Sequence, residues 1–386
     1  MRRLAVALIA AAALVCAQPA AAQDPPDDDL IAFVRAALAV LDDYAVRPAC
    51  DQQADPARWM SAVPPDAGRA DPVISAHRGA IELAPENTVW SYEYAFAYGV
   101  DLVEVDVQQT SDGRFVALHD STVDRTTDGT GEVSDLTYAQ VRALNAADYE
   151  PWKGTEFDPA QVASLEEVLA LAARVGGGLE LDIKGSVTEE GRLAELVKRY
   201  GLIEESIFNS GDVRIFIAAP NANLIYNRDT FEPPFLLYEI GQVLSVFGSR
   251  LDEYTPEAIA AAHDACGIVM PHAYDAGPEQ EVAQFLQARA IGADGVQTNQ
   301  PDAIVAAAGL PALARLESND GEVCLVNGVN RLGFPGKEIE LRKGRRTNTL
   351  ATGMGGCADV PDRTWKGAHA SFAGDGSVLP AQGKIR

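Results

Sequence analysis

A TIM-type (β/α)8 barrel, distorted at one connection, is the fold class this chain predicts, and three observations predict it. Between Val73 and Leu310, short apolar runs alternate with amphipathic helical runs. Eight strand-like runs fall in that span, the count that closes a parallel barrel of roughly 250 residues. Acids and histidines gather where several of those runs end, which is where barrel enzymes carry their chemistry.

The chain opens with Arg2 and Arg3, an apolar run from Leu4 to Val15, and small residues including Ala20 and Ala22. That order reads as a secretory signal over residues 1–22, with Gln23 as the mature start and an extracytoplasmic destination, periplasmic or secreted. The run is too short for a membrane span. Removing the signal takes the formal charge from −25 to −27. Such a charge argues against nucleic acid and anionic membrane surfaces as nonspecific partners. Cys50, Cys266, Cys324 and Cys357 remain. They lack zinc-site spacing and have three possible pairings in an oxidising compartment.

Residues 23–72 form an N-terminal arm. Asp24 to Asp29 is rich in Asp and Pro, Leu30 to Tyr44 carries apolar residues at helical spacing, and Pro48 to Pro72 reads as loop. The barrel, residues 73–310, then offers strands at Val73–Ala76, Leu102–Val107, Phe115–Leu118, Leu179–Ile183, Ser206–Phe208, Phe235–Tyr238, Gly267–Met270 and Gly295–Thr298. Helical runs lie between several of them: Glu86–Tyr98, Leu165–Arg174, Glu189–Tyr200 and Glu279–Ala290. One link is too short for a parallel crossover. Ser111-Asp112-Gly113-Arg114 reads as a tight hairpin turn. With Asp112 and Gly113 as the two loop residues, Asp106 is expected opposite His119, with Glu104 on the same face. Residues 311–386 lose the alternation and read as a small β-rich module, with strand candidates at Val323–Val326 and Glu338–Leu341. Cys324 and Cys357 are placed to tie it, and Gly374 to Arg386 read as a frayed end.

The candidate chemistry lies at strand ends. The first strand ends His77-Arg78-Gly79, the second carries Glu104 and Asp106, the third ends His119-Asp120, and the fourth carries Glu180, Asp182 and Lys184. Acids two apart on a strand share a face. Hard oxygen ligands, two proton carriers and two cations suit phosphoryl chemistry assisted by Mg²⁺ or Ca²⁺. Each group has an ordinary structural role open to it as well: a strand-end histidine in packing, alternating acids facing water, Arg78 and Lys184 in ion pairs.

The runs Ala76-His77-Arg78-Gly79, Ala84-Pro85-Glu86-Asn87-Thr88, Val103-Glu104-Val105-Asp106-Val107, Thr110-Ser111-Asp112-Gly113, Leu118-His119-Asp120 and Asp124-Arg125-Thr126-Thr127 occur in that order, followed by Gly129 and Gly131. In order and spacing they resemble the glycerophosphodiester phosphodiesterases, as does Ser164-Leu165-Glu166-Glu167-Val168-Leu169. The resemblance spans Val73 to Pro301. It implies His77 and His119 as the general acid/base pair, and Glu104, Asp106 and Asp182 as metal ligands, with Glu180 and Glu86 as further candidates. It also implies Arg78, Lys184 and Glu86 as phosphate- or substrate-binding groups. The products implied are an alcohol and sn-glycerol 3-phosphate.

Three positions depart from the family pattern. Asp182 stands where Glu is usual, Asn299 follows Thr298 where Asp is usual, and Met270-Pro271-His272-Ala273-Tyr274 replaces a Trp-Thr-type segment. His272 reads as a possible added site residue, and Tyr274 and Trp152 as pocket lining or packing. Two other readings follow from these departures. One is a phospholipase D-like enzyme acting on lysophospholipids, with Phe231 to Leu237 and Val243 to Phe247 as an apolar rim. The other is a non-catalytic binding protein on the same fold. Contact with the cell envelope is expected, if anywhere, through the C-terminal module.

Overall fold

The computed structural model describes residues 71–210, 213–219, 222–226, 245–247, 251, 254–264, 268–274, 277–319 and 321–385. The signal, the N-terminal arm with Cys50, the Phe235–Tyr238 strand, the Phe231 to Leu237 segment and Cys266 lie outside them.

The barrel strands are β1 (Val73–Ala76), β2 (Leu102–Gln109), β4 (Gly178–Ile183), β5 (Ser206–Asn209), β6 (Asn223–Tyr226), β7 (Ser245–Phe247), β8 (Ile268–Val269) and β9 (His272–Ala273), then β10 (Gly295–Thr298). β3 (Phe115–Ala117) stands apart as an antiparallel hairpin partner of β2. Pairing runs β8-β7-β6-β5-β4-β2-β1-β10-β9. Only Met270 and Pro271 separate β8 from β9, so one segment pairs with β7 and then with β10 and closes the ring. Proline cannot donate to a sheet ladder, which accounts for the break in that strand.

Eight strand positions thus close the barrel, but not the eight expected from sequence. Phe115–Leu118 is a hairpin appendage, while Asn223–Tyr226 and Ser245–Phe247, the latter within the run read from sequence as an apolar rim, supply two barrel strands that were not expected.

The hairpin register differs too. Val107 pairs with Ala117 and Gln109 with Phe115, and Leu118 N donates to Asp106 O at 3.0 Å. Leu118, not His119, therefore lies opposite Asp106. The loop holds three residues, Ser111 to Gly113, and Gly113 at φ +78° takes the left-handed position of a three-residue turn. A one-residue change in register reverses which face each side chain occupies.

Alternation along the strands sorts the side chains. Val103, Val105, Val107, Leu179 and Leu181 are buried toward the helices. Between them, Glu104 pairs in register with Glu180, and Asp106 with Asp182. Inside the ring, Ser75 Oγ donates to Glu180 Oε2 at 2.6 Å and Gln297 Nε2 to Glu180 Oε1 at 2.8 Å, joining three strands across the interior.

Helix α1 (Val89–Tyr98) starts at Thr88, whose hydroxyl forms a capping box with Ser91, and ends at Gly99 with φ +89°. Its last carbonyls are met by the C-terminal module: Asn330 Nδ2 donates to Phe96 O at 2.9 Å and Asn327 Nδ2 to Ala97 O at 2.8 Å. Tyr98 packs edge-on against Phe334 with centroids 5.6 Å apart, and Tyr94 OH donates to Met354 O at 2.8 Å. One apolar core runs from barrel to module through these contacts.

The module comprises two small antiparallel sheets. One orders β11 (Ala314–Asn319), β12 (Glu322–Asn327) and β15 (Cys357–Asp359). The other orders β14 (Arg346–Ala351), β13 (Glu338–Lys343), β16 (His369–Phe372) and β17 (Ala381–Lys384). Cys324 and Cys357 face each other across β12 and β15 and form a disulfide. The C-terminus is not frayed as its polar sequence suggested. β17 pairs with β16, and Leu379 N donates to Ala312 O at 2.9 Å.

Candidate active site

The site lies where β1, β2, β4, β5 and β10 end. Glu104, Asp106 and Asp182 each offer a carboxylate oxygen, all within 4.8 Å of one another. Glu104 and Asp106 are buried, while Asp182 keeps a side-chain exposure of 30%. Burial, then the neighbouring charges of Asp106, Asp182 and Glu180, push Glu104 well above the usual carboxylate range.

Burial also pushes Asp106 upward, but Lys184 and Arg78 outweigh it and hold that group below its ordinary value. Lys184 Nζ lies 2.7 Å from Asp106 Oδ1 and 2.5 Å from Asp182 Oδ2. Burial opposes its charge, yet these two acids raise it to about 12.

The set fits a hard divalent cation on its own chemistry. It is three oxygen donors within reach of one ion, and burial of Glu104 beside three other acids is a setting that a divalent cation would relieve. Glu180 stands outside the trio, below it in the barrel, with both oxygens engaged by Ser75 and Gln297. Glu86 is outside as well, held by Arg78 and by both terminal nitrogens of Arg125. Neither is placed as the metal ligand that the sequence left open.

Several neighbours hold the trio. Asn87 Nδ2 donates to Asp106 Oδ2 at 2.6 Å, and Tyr92 OH fixes Asn87 through its amide oxygen at 2.7 Å. Asn87 thus ties the loop after β1 to Asp106. Asn209 Nδ2 donates to Asp182 Oδ1 at 3.0 Å from the end of β5. Arg78 N donates to Glu104 Oε2 at 2.8 Å. This last contact needs Arg78 at φ +55°, and its carbonyl is tied down by Asn87 N and Ser91 Oγ. Gly79 follows at φ +86°, where any Cβ would sit 2.5 Å from Ser91 Oγ, so a glycine is required.

The two histidines are oriented by unlike partners. His77 is 8% exposed, and its Nδ1 meets Asn299 Oδ1 at 2.7 Å. An amide oxygen only accepts, so Nδ1 carries the proton and Nε2 is the basic atom. Tyr274 stacks on the His77 ring at 4.2 Å and 8°. Its hydroxyl lies 3.1 Å from His272 Nδ1, so His272 touches the group behind His77.

His119 Nδ1 meets Asp120 Oδ1 at 2.6 Å. Bonds from Arg125, foremost, bring the Asp120 carboxylate down to about 2. Arg125 joins Asp120 to Glu86, and Glu86 contacts Arg78, so a chain of ion pairs links the loop after β1 to the loop after β3. Gln108 Nε2 braces that loop from below, donating to Asp120 O at 2.7 Å. Trp152 packs edge-on against Phe157 and belongs to the core.

Arg125, Asn209, Gln108 and the role of Asn299 were not singled out from sequence as site residues. Arg125 sits inside a matched motif and Asn209 ends a strand, the two signals that were present.

A model of the glycerophosphoryl diester phosphodiesterase family matches residues 77–225. YhdW of Bacillus subtilis is 38% identical over 136 residues, covering 35% of this chain and about half of that relative, 54%. The glycerophosphodiester phosphodiesterase of Caldanaerobacter subterraneus is 28% identical over 244 residues, 60% of this chain and 96% of that protein. A phosphodiesterase of Oleispira antarctica, solved with the product sn-glycerol-3-phosphate, superposes with TM-score 0.52 and 25% identity, covering 61% of this chain and 96% of that one.

Proposed function

Because the chain belongs to the glycerophosphodiester phosphodiesterase family, we propose that it hydrolyses glycerophosphodiesters to an alcohol and sn-glycerol 3-phosphate. The observation that carries this reading is a three-carboxylate cluster flanked by two histidines with fixed tautomers.

Glu104, Asp106 and Asp182 would hold Mg²⁺ or Ca²⁺, which supplies a Lewis acid beside the phosphate. Arg78 and Lys184 bind the phosphate oxygens and offset charge that builds as the P–O bond breaks. His77 accepts at Nε2 the proton of the water whose oxygen bonds to phosphorus, since its other nitrogen is committed to neutral Asn299. His119, backed by anionic Asp120, donates a proton to the departing alkoxide. Bond breaking and proton delivery thus balance without a free alkoxide. Arg125 keeps Glu86 and Asp120 in register, and Glu86 would bind the glycerol hydroxyls.

We also propose that the protein works outside the cytoplasm. The Cys324–Cys357 disulfide supports an oxidising compartment, as does the basic and apolar N-terminus. Among the described residues no helix is long and apolar enough to cross a membrane.

Substrate class is tested by competition between glycerophosphocholine and lysophosphatidylcholine at equal concentration. The proposal expects glycerol 3-phosphate from the first to dominate. Preferred release of choline or lysophosphatidate from the second would replace it with the lysophospholipid reading. No turnover of either by folded, metal-supplemented protein would leave the binding-protein reading.

A further inference from the structure

The C-terminal module departs from the charge of the rest of the chain. The chain has 56 acids against 31 Lys and Arg, yet residues 342–346 read Arg-Lys-Gly-Arg-Arg. These residues form the tip of the β13–β14 hairpin, with Lys343 paired to Arg346 and Gly344 at φ +63° in the two-residue turn.

Cross-strand register extends the basic end over the sheet. Arg342 pairs with His369, and His369 with Lys384, so three adjacent strands carry them side by side on one face. At neighbouring-strand spacing, Arg342 and Lys384 stand roughly 10 Å apart. The opposite face of the same strands is buried, through Leu341 and Ala370. Lys366 and Arg363 border the hairpin, because Lys343 Nζ donates to Lys366 O at 2.6 Å and Arg346 stacks over Trp365 at 4.7 Å.

These seven Lys and Arg residues and His369 are all exposed. Among the described residues, none of the seven has a carboxylate within ion-pair distance. Asp362 is nearby, but its carboxylate caps the turn at Thr364, accepting from Thr364 N at 2.7 Å.

We propose that this basic end binds an anionic phospholipid surface. Three features favour lipid over other polyanions. The cations lie on a sheet face and its adjoining hairpin tip, an arrangement that suits a planar array of charge. The module's aromatic residues, Phe334, Trp365 and Phe372, are all buried, so it lacks the exposed rings on which single-stranded nucleic acid stacks. The remainder of the chain is strongly acidic and is repelled by the same surface, which restricts contact to this end. No large apolar side chain is exposed in the patch, so attachment is electrostatic and peripheral. The inference does not depend on the reaction assigned to the barrel.

The test is sedimentation of the full chain with phosphatidylcholine vesicles, with and without phosphatidylglycerol, at low and high salt. It is repeated with R342Q/R345Q/K384Q, three exposed positions without structural hydrogen bonds. The proposal expects binding that needs phosphatidylglycerol and is lost at high salt. At roughly fivefold per cation, the triple variant binds about a hundredfold more weakly. Its turnover of soluble glycerophosphocholine, or its melting temperature if the barrel reaction is otherwise, stays unchanged. Equal binding to neutral vesicles would overturn the proposal, as would full binding by the triple variant. Binding to heparin or DNA without binding to anionic vesicles would also overturn it.

Discussion

His77 Nδ1 and Asn299 Oδ1 lie 2.7 Å apart, 222 residues apart in sequence, joined by the pairing of β1 with β10 that closes the barrel. The partner is a neutral amide, so it fixes the tautomer of His77 without favouring the imidazolium.

Asn299→Ala is expected to lower kcat by roughly 10- to 100-fold with little change in KM, since the proton acceptor loses its orientation. Asn299→Asp is expected to retain activity and move the acid limb of the pH–rate profile upward by about one unit or more. A carboxylate there favours protonated imidazole, so the basic form is reached at higher pH. An unmoved limb would show that His77 is not the base.

Asn209 touches the carboxylate cluster through Asp182. Asn209→Ala is expected to weaken Mg²⁺ or Ca²⁺ activation by roughly tenfold, as loss of a group behind a ligand commonly does. Asp182→Asn should weaken it further. Metal titrations of activity, with calorimetry for binding, separate these effects. Equal activation of wild type and both variants would remove Asp182 from the ligand set.

Glu180 gives a prediction on stability. Burial raises its carboxyl to about 7, against the Ser75 and Gln297 bonds that lower it. The unfolded chain therefore releases this proton near pH 4.5, well before the folded one does. Stability from this group is lost as pH rises from about 4.5 to 7, by roughly 3 kcal/mol at most. In EDTA, Glu180→Gln should melt higher than wild type at pH 8 and gain little at pH 4.5. A gain of equal size at both values would contradict the assignment.

The module is continuous with the barrel core, so truncation after Leu310 is expected to yield insoluble protein, with Tyr98 and the end of α1 uncovered. Asn327→Ala with Asn330→Ala is the milder case. Asn327→Ala leaves Ala97 O without its donor, whereas Phe96 O keeps Gly99 N when Asn330 is replaced, so thermal melting should report a loss of roughly 1–3 kcal/mol at Asn327 and a smaller one at Asn330. A soluble, fully active truncation would make the module dispensable to the barrel.

Chemistry that lies close in sequence was the legible part. His77-Arg78-Gly79, Glu104 with Asp106, and Asp182 with Lys184 each sit on one strand end, where alternation alone fixes their common face. The hairpin register was misread because Asp112-Gly113 serves a two-residue turn and a three-residue turn equally well, and only the φ of Gly113 in context decides. β6 and β7 were missed because the hairpin strand Phe115–Leu118 and the run Phe235–Tyr238 filled two of the eight places in the expected rhythm, leaving none for these short strands. Asn299, Tyr274 and Arg125 reach the site by barrel closure or by long side chains. Asn299 and Tyr274 meet His77 from far along the chain, and Arg125, although close to Asp120 in sequence, also bridges to Glu86 39 residues away, a link its own motif does not reveal.

The most direct test of the catalytic account is release of sn-glycerol 3-phosphate from glycerophosphocholine by EDTA-stripped protein. Release is followed as Mg²⁺ or Ca²⁺ is restored, beside Asp106→Asn and His77→Ala. The account predicts that wild type regains activity with metal, and that Asp106→Asn needs far more metal for any activity. It predicts that His77→Ala binds metal normally and stays inactive. Full turnover in EDTA, or undiminished turnover by His77→Ala, would contradict it.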